Sequence, residues 1–195
     1  MEKINDDKNI LKIHGLDKES MSEFRNKIET ISEDNQNKLG KQIYRLVSDY
    51  FSNQEEVLKL ILQGANVNIT DKEKATSLHV CAYYKKLNSA ILLLRAGIDF
   101  NKKDNEGNTA LHYCAENDFL ELLEILFLMG ANINEKNIYG ETPLMIAEEN
   151  KSKKCHKKLI EMGAVDVLKG ETEKNTENID AIFEEAAKKL TKSKK

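Results

Sequence analysis

Residues 104–136 read DNEGNTALHYCAENDFLELLEILFLMGANINEK, and both flanks repeat the pattern. Thr76, Thr109 and Thr142 fall at one 33-residue interval, and Leu78, Leu111 and Leu144 keep it. Gly64, Gly97, Gly130 and Gly163 carry the same lattice back toward the N-terminus. A fixed period of this size marks a repeat architecture, in which each unit buries its apolar face on the next and no single central core forms.

The units share a Thr-x-Leu-His start and a Leu-Leu-x-x-Gly-Ala end. The starts are Thr76-Ser77-Leu78-His79, Thr109-Ala110-Leu111-His112 and Thr142-Pro143-Leu144-Met145, and the ends include Gly64-Ala65, Gly130-Ala131 and Gly163-Ala164. This pattern resembles the ankyrin repeat. The resemblance implies an all-α solenoid of helix-turn-helix units joined by β-hairpin loops, about four in number. The expected units are 38–70, 71–103, 104–136 and 137–167. Residues 1–37 are expected to form a lead-in and a capping helix. Residues 168–195 are expected to form a polar linker followed by a C-terminal amphipathic helix or tail.

In the flanking segments, Ser20 and Glu23 make an S-x-x-E capping-box pattern. Met21, Phe24, Ile28 and Ile31 follow at helical spacing, which predicts a helix from about Ser20 to Glu33 that covers the open end of the array. In the first unit Ile43, Leu46, Val47 and Tyr50 line one helix and Val57, Leu60 and Ile61 the other. Lys74 stands where Gly107 and Gly140 supply a hairpin glycine, so that turn is expected to be strained or reshaped. In the last unit Leu159 and Ile160 are expected to face inward on an otherwise polar helix. Beyond the linker, Ile179, Ile182, Phe183, Ala186 and Leu190 recur at amphipathic spacing.

Composition narrows the function classes. Thirty basic and 33 acidic side chains leave a net charge of −3 with the signs interspersed, which argues against a dedicated nucleic-acid binder. No apolar run is long enough to span a bilayer, and the N-terminus lacks an apolar leader, so a cytoplasmic or intracellular protein is expected. The three cysteines, Cys81, Cys114 and Cys155, are an odd number and read as unbridged thiols in a reducing compartment. Cys81 and Cys114 share one repeat slot with Ala147, which reads as a small buried position.

No motif carries catalysis. His79 and His112 occupy the signature slot, where the resemblance implies structural hydrogen bonds near the hairpin. The cysteines two positions on point about 200° away around the helix, which does not converge ligands for a metal. The remaining glycines make no phosphate-binding loop. An enzyme is not expected, and no cofactor or metal is implied.

The residues left over by the lattice point to a partner. In ankyrin arrays the partner meets the hairpin tips and the exposed side of each first helix. Carried over position by position, those slots hold Tyr50, Phe51, Tyr83, Tyr84, Glu116, Asn117, Ile138, Tyr139 and Glu149. Packing does not ask for large aromatics there, and tyrosine is enriched where proteins bind. The expected partner is a protein segment with apolar anchors and some Lys or Arg, bound by a monomer acting as adaptor, scaffold or inhibitor. The competing reading packs Tyr50 and Phe51 on the N-terminal helix and half-buries Tyr83 and Tyr84. Two further alternatives are an effector exported into a host cell and a membrane-surface regulator working through the C-terminal helix. The segment Leu93–Asn101 also resembles the sequence that asparaginyl hydroxylases modify in such repeats, with Asn101 as acceptor; the reading of Asn101 as a turn residue is preferred.

Overall fold

The computed structural model describes residues 10–49 and 54–165. Nine helices follow the N-terminal turn at 10–13 within those residues: α1 (Lys18–Arg25), α2 (Glu33–Ser48), α3 (Gln54–Leu62), α4 (Ser77–Tyr83), α5 (Leu87–Ala96), α6 (Ala110–Glu116), α7 (Leu120–Leu128), α8 (Pro143–Glu149) and α9 (Lys153–Glu161). From α2 onward they form four helix pairs. The inner helices α2, α4, α6 and α8 stack on one another, and the outer helices α3, α5, α7 and α9 do the same behind them. No strand forms among the described residues, and the all-α solenoid read from the period is the fold.

The core follows the lattice. Leu78, Leu93, Leu94, Leu111, Leu122, Leu123, Leu126 and Leu159 are buried, and Cys81, Cys114 and Cys155 are fully buried free thiols between them. Small side chains at 81, 114 and 147 let the inner helices approach, as the shared slot suggests.

Each junction between units is a tight turn opened by an Asp or Asn. Asp71, Asp104 and Asn137 each donate a backbone N–H to the carbonyl four residues on, at 3.0 Å. Their side-chain oxygens accept two further backbone N–H groups within the same turn. Gly107 and Gly140 close their turns with φ near +78° and +79°. Lys74 takes φ +59° at the same place and keeps the turn, with its N–H on the Asp71 carbonyl at 3.2 Å. The hairpin is therefore not reshaped; an L-residue is held in left-handed backbone, at a cost of about 1 kcal/mol. Neighbouring tips join through Asn105 N–H to the Glu73 carbonyl and Ile138 N–H to the Glu106 carbonyl, both at 2.8 Å.

The N-terminal segment departs from expectation in three ways. The cap of α1 is Asp17, whose carboxylate accepts from the Ser20 N–H at 3.0 Å and the Ser20 hydroxyl at 2.7 Å. The Ser20–Glu23 pattern misplaced the start because Asp17, three residues earlier, is an equally good cap, and the Ser20 hydroxyl donates to it instead of capping. The helix ends at Arg25, and a second one, α2, starts at Glu33. Finally, α1 lies against the outer helix α5 instead of covering the open end of the array. Phe24 is buried there with the Arg95 guanidinium 4.4 Å over its ring, Leu16 is buried beside it, and the Glu29 N–H reaches the Leu62 carbonyl at 2.9 Å. At the other extreme Ile10 shares a surface cleft with Phe127, Leu128 and Met162. Residues 10–31 thus run as a strap across the outer helices, opposite to the direction of the repeats.

The last unit also corrects one reading. Leu159 and Cys155 are buried, but Ile160 is 52% exposed. In α9 the inward positions recur at 155 and 159, and residue 160 lies about 100° past that line. The expected C-terminal helix, together with Tyr50 and Phe51, lies outside the described residues.

Candidate partner-binding face

The signature histidines build the scaffold of the inner face. His79 Nδ1 accepts the Thr76 backbone N–H at 3.0 Å, which places the ring proton on Nε2, 3.2 Å from the Asn108 carbonyl of the next turn. His112 does the same with Thr109 N–H at 3.1 Å and the Glu141 carbonyl at 3.3 Å. Each ring caps its own helix and ties it to the following hairpin. Burial, the largest cause, pushes both imidazoles below their ordinary pKa, so they are held neutral as the geometry requires.

On this scaffold the aromatic residues form a connected run. Tyr83 and Tyr84 are 47% and 49% exposed and meet edge to face at 4.9 Å. Tyr83 also meets Tyr113 of the next unit at 6.4 Å, and Tyr113 stands edge-on to His79 at 5.7 Å. Tyr113 is half-buried, with its hydroxyl on the Asp104 carboxylate at 2.8 Å. Burial and that carboxylate raise the phenol's pKa and keep it a donor.

Beside the run lies a cleft of about 230 Å³ between the third and fourth units. Tyr113, Tyr139 and Ile146 supply its carbon. Glu106, Glu116, Glu141 and Glu149 supply four carboxylates, and no Lys or Arg lines it. Glu141 and Glu106 accept from Asn137 and Asn108 side-chain amides at 2.8 and 3.2 Å. Glu116 and Glu149 form no ion pair among the described residues. Burial first, and then the Glu106 charge, raise the pKa of Glu116. That is the signature of a carboxylate short of a countercharge.

The structure brings Tyr139, Glu116 and Glu149 to this cleft; Tyr83 and Tyr84 do not line it, and Tyr83 reaches it only through its edge contact with Tyr113. Ile138 and Tyr139 are exposed at the hairpin tip, 65% and 66%. Asn117 does not line the cleft; its amide turns back to the Tyr113 carbonyl at 3.0 Å. Asn101 is exposed in the turn after α5, where its N–H is held by the Asp99 side chain at 3.0 Å. Sequence reasoning missed Tyr113 and Ile146. They sit at a single slot with Val80, and an aromatic with a polar tip among aliphatics at one slot was the available signal.

Among the described residues no group of three or more His, Cys, Asp or Glu converges as metal ligands would, and no helix is long and apolar enough to cross a membrane. Comparison with known proteins bears on the array itself. No curated protein matches the chain. Residues 46–137 match a family model described as ankyrin repeats, in three copies. The structure continues the same turn, cap and helix pair through a fourth unit to Glu161. Ankyrin repeats generally mediate protein–protein interaction and are typically non-catalytic. From its period, its capped helix pairs and this match, the chain carries an array of ankyrin repeats.

Proposed function

We propose that this protein is a non-catalytic adaptor or scaffold that captures a protein segment carrying apolar anchors and at least one Lys or Arg. The observation that carries the reading is the cleft between the third and fourth units. Four carboxylates without a lining cation stand beside half-buried Tyr113, which continues into the exposed pair Tyr83 and Tyr84. A lysine or arginine of the partner supplies the missing countercharge, and an adjacent apolar side chain lies on the tyrosine edges. The hydrogen-bonded turns and caps hold this face in place beforehand, so little conformational entropy is lost on docking.

The test is an affinity capture from native lysate, read by mass spectrometry, with three baits: wild type, Tyr83→Ala/Tyr84→Ala, and Glu116→Gln/Glu149→Gln. A protein held by wild type and lost by both variants, and released as salt rises, is the expected result. A partner retained equally by all three baits, with their helicity intact, refutes this face.

A further inference from the structure

Among the described residues, the strap leaves the first face of the array open. Leu60, Leu93, Leu126 and Leu159 occupy one slot at the repeat interval, and the last three are essentially inaccessible because the preceding unit covers them. Among the described residues no unit precedes Leu60, which is only half-buried. It lines, with Leu39 and Leu46, a cleft of about 490 Å³ between α2 and α3. Leu39 and Leu46 are two helical turns apart, so the three leucines make a short apolar stripe about 10 Å long.

The rim of this stripe is charged, and the charges are idle. Arg45 and Lys59 on one hand and Glu56 on the other edge the cleft. None of the three forms an ion pair among the described residues. Arg45 stands in the slot that Leu78, Leu111 and Leu144 fill with buried carbon. Another repeat stacked here in the ordinary register would bury that guanidinium unpaired, so the face does not simply await a fifth unit. A surface carrying both signs around a leucine stripe is complementary to itself. A two-fold axis through the cleft sets α2 of one copy on α3 of the other, Leu46 against Leu60 and Arg45 opposite Glu56.

We propose that the open N-terminal face of the array is a self-association surface that joins two copies of this chain, helix pair on helix pair. It is separate from the inner face and departs from the monomer expected from sequence.

Sedimentation velocity on the full chain over a wide concentration range tests it, with circular dichroism as the check on folding. The wild type is expected to move to dimer mass as concentration rises. Leu46→Glu should raise the dissociation constant about tenfold or more. Because Leu46 is half-buried, the exposed Arg45→Glu provides an independent arm: alone it should weaken the dimer, as should Glu56→Arg alone. The combined Arg45→Glu/Glu56→Arg chain should recover affinity, since the pair is restored with its signs exchanged. Wild type that stays at monomer mass throughout overturns the proposal, and so does a dimer unmoved by Leu46→Glu and Arg45→Glu.

Discussion

Replacing His112 by Ala removes two bonds to the backbone at once, besides the contact of Nδ1 with the Thr109 hydroxyl at 3.0 Å. The Thr109 N–H, buried with its residue, loses its acceptor, and an orphaned buried amide costs about 1–3 kcal/mol. The Nε2–H bond to the Glu141 carbonyl, which couples the third unit to the fourth, contributes about 1 kcal/mol more. The expected loss is therefore about 2–4 kcal/mol, read as a lower urea midpoint at pH 7, against His156→Ala as control because His156 is half-exposed and outside the capping slot. Acidification should act through the same atoms. The folded-state pKa of His79 and of His112 lies below the unfolded value of 6.5, so the unfolded chain binds more protons. Stability from these groups is full above about pH 6.5 and falls as pH drops through the folded pKa values, by up to about 1.4 kcal/mol per pH unit for each ring. The slope between pH 7 and about 5.5 should vanish in His79→Ala/His112→Ala, a range mostly above ordinary carboxylate titration. The reasoning fails if His112→Ala stays within about 0.5 kcal/mol of the His156→Ala control, or if the double variant keeps the slope.

Two other perturbations follow from packing. Gly40 lies inside α2, where Ala would ordinarily gain about 1 kcal/mol over Gly. Here an added Cβ would stand 2.2 Å from the Asn66 carbonyl oxygen and 2.7 Å from Ile69 Cγ1, so Gly40→Ala should lower stability by about 2 kcal/mol in thermal or urea unfolding; a stabilised variant would contradict the packing. Burial pushes the Cys81 thiol from 9.0 to about 12, which cuts its thiolate about a thousandfold, and Cys114 and Cys155 are raised for the same leading reason. All three should resist a thiol reagent at pH 8 in the native protein and react together in urea; rapid labelling of the folded chain would show the core to be open.

The array was legible because repetition multiplies weak signals. A single Thr-x-Leu-His is an ordinary string, but Thr76, Thr109 and Thr142 with Gly64 to Gly163 at one interval fix the helix pairs and the turns between them. Lys74 shows the strength of that context: its turn survives without the glycine because the Asp71 side chain and the flanking helices determine the backbone. What lay outside the lattice was harder to read. The apolar face of residues 21–31 announced that something would be covered, but amphipathicity has no address, and the destination on α5 depends on Phe24 meeting Arg95. The acidic cleft was partly visible: Glu116, Glu149 and Tyr139 were found by slot. Tyr113 was missed because its slot reads as a core position, and its half-burial follows from the hydrogen bond to Asp104.

The strap carries a consequence for how the chain comes into being. Solenoids are usually dominated by neighbour-to-neighbour contacts, which favour quick assembly from either side. This one is bound by a segment that is made before the repeats but has Ile10 beside Phe127, Leu128 and Met162, which are made about 120 residues or more after it. During synthesis Leu16 and Phe24 emerge before Arg95 and α5 exist, and must wait in water until about 70 residues more have followed. The final turn of the strap closes only when the fourth unit is in place, so its seating reports that the whole array has been made and stacked.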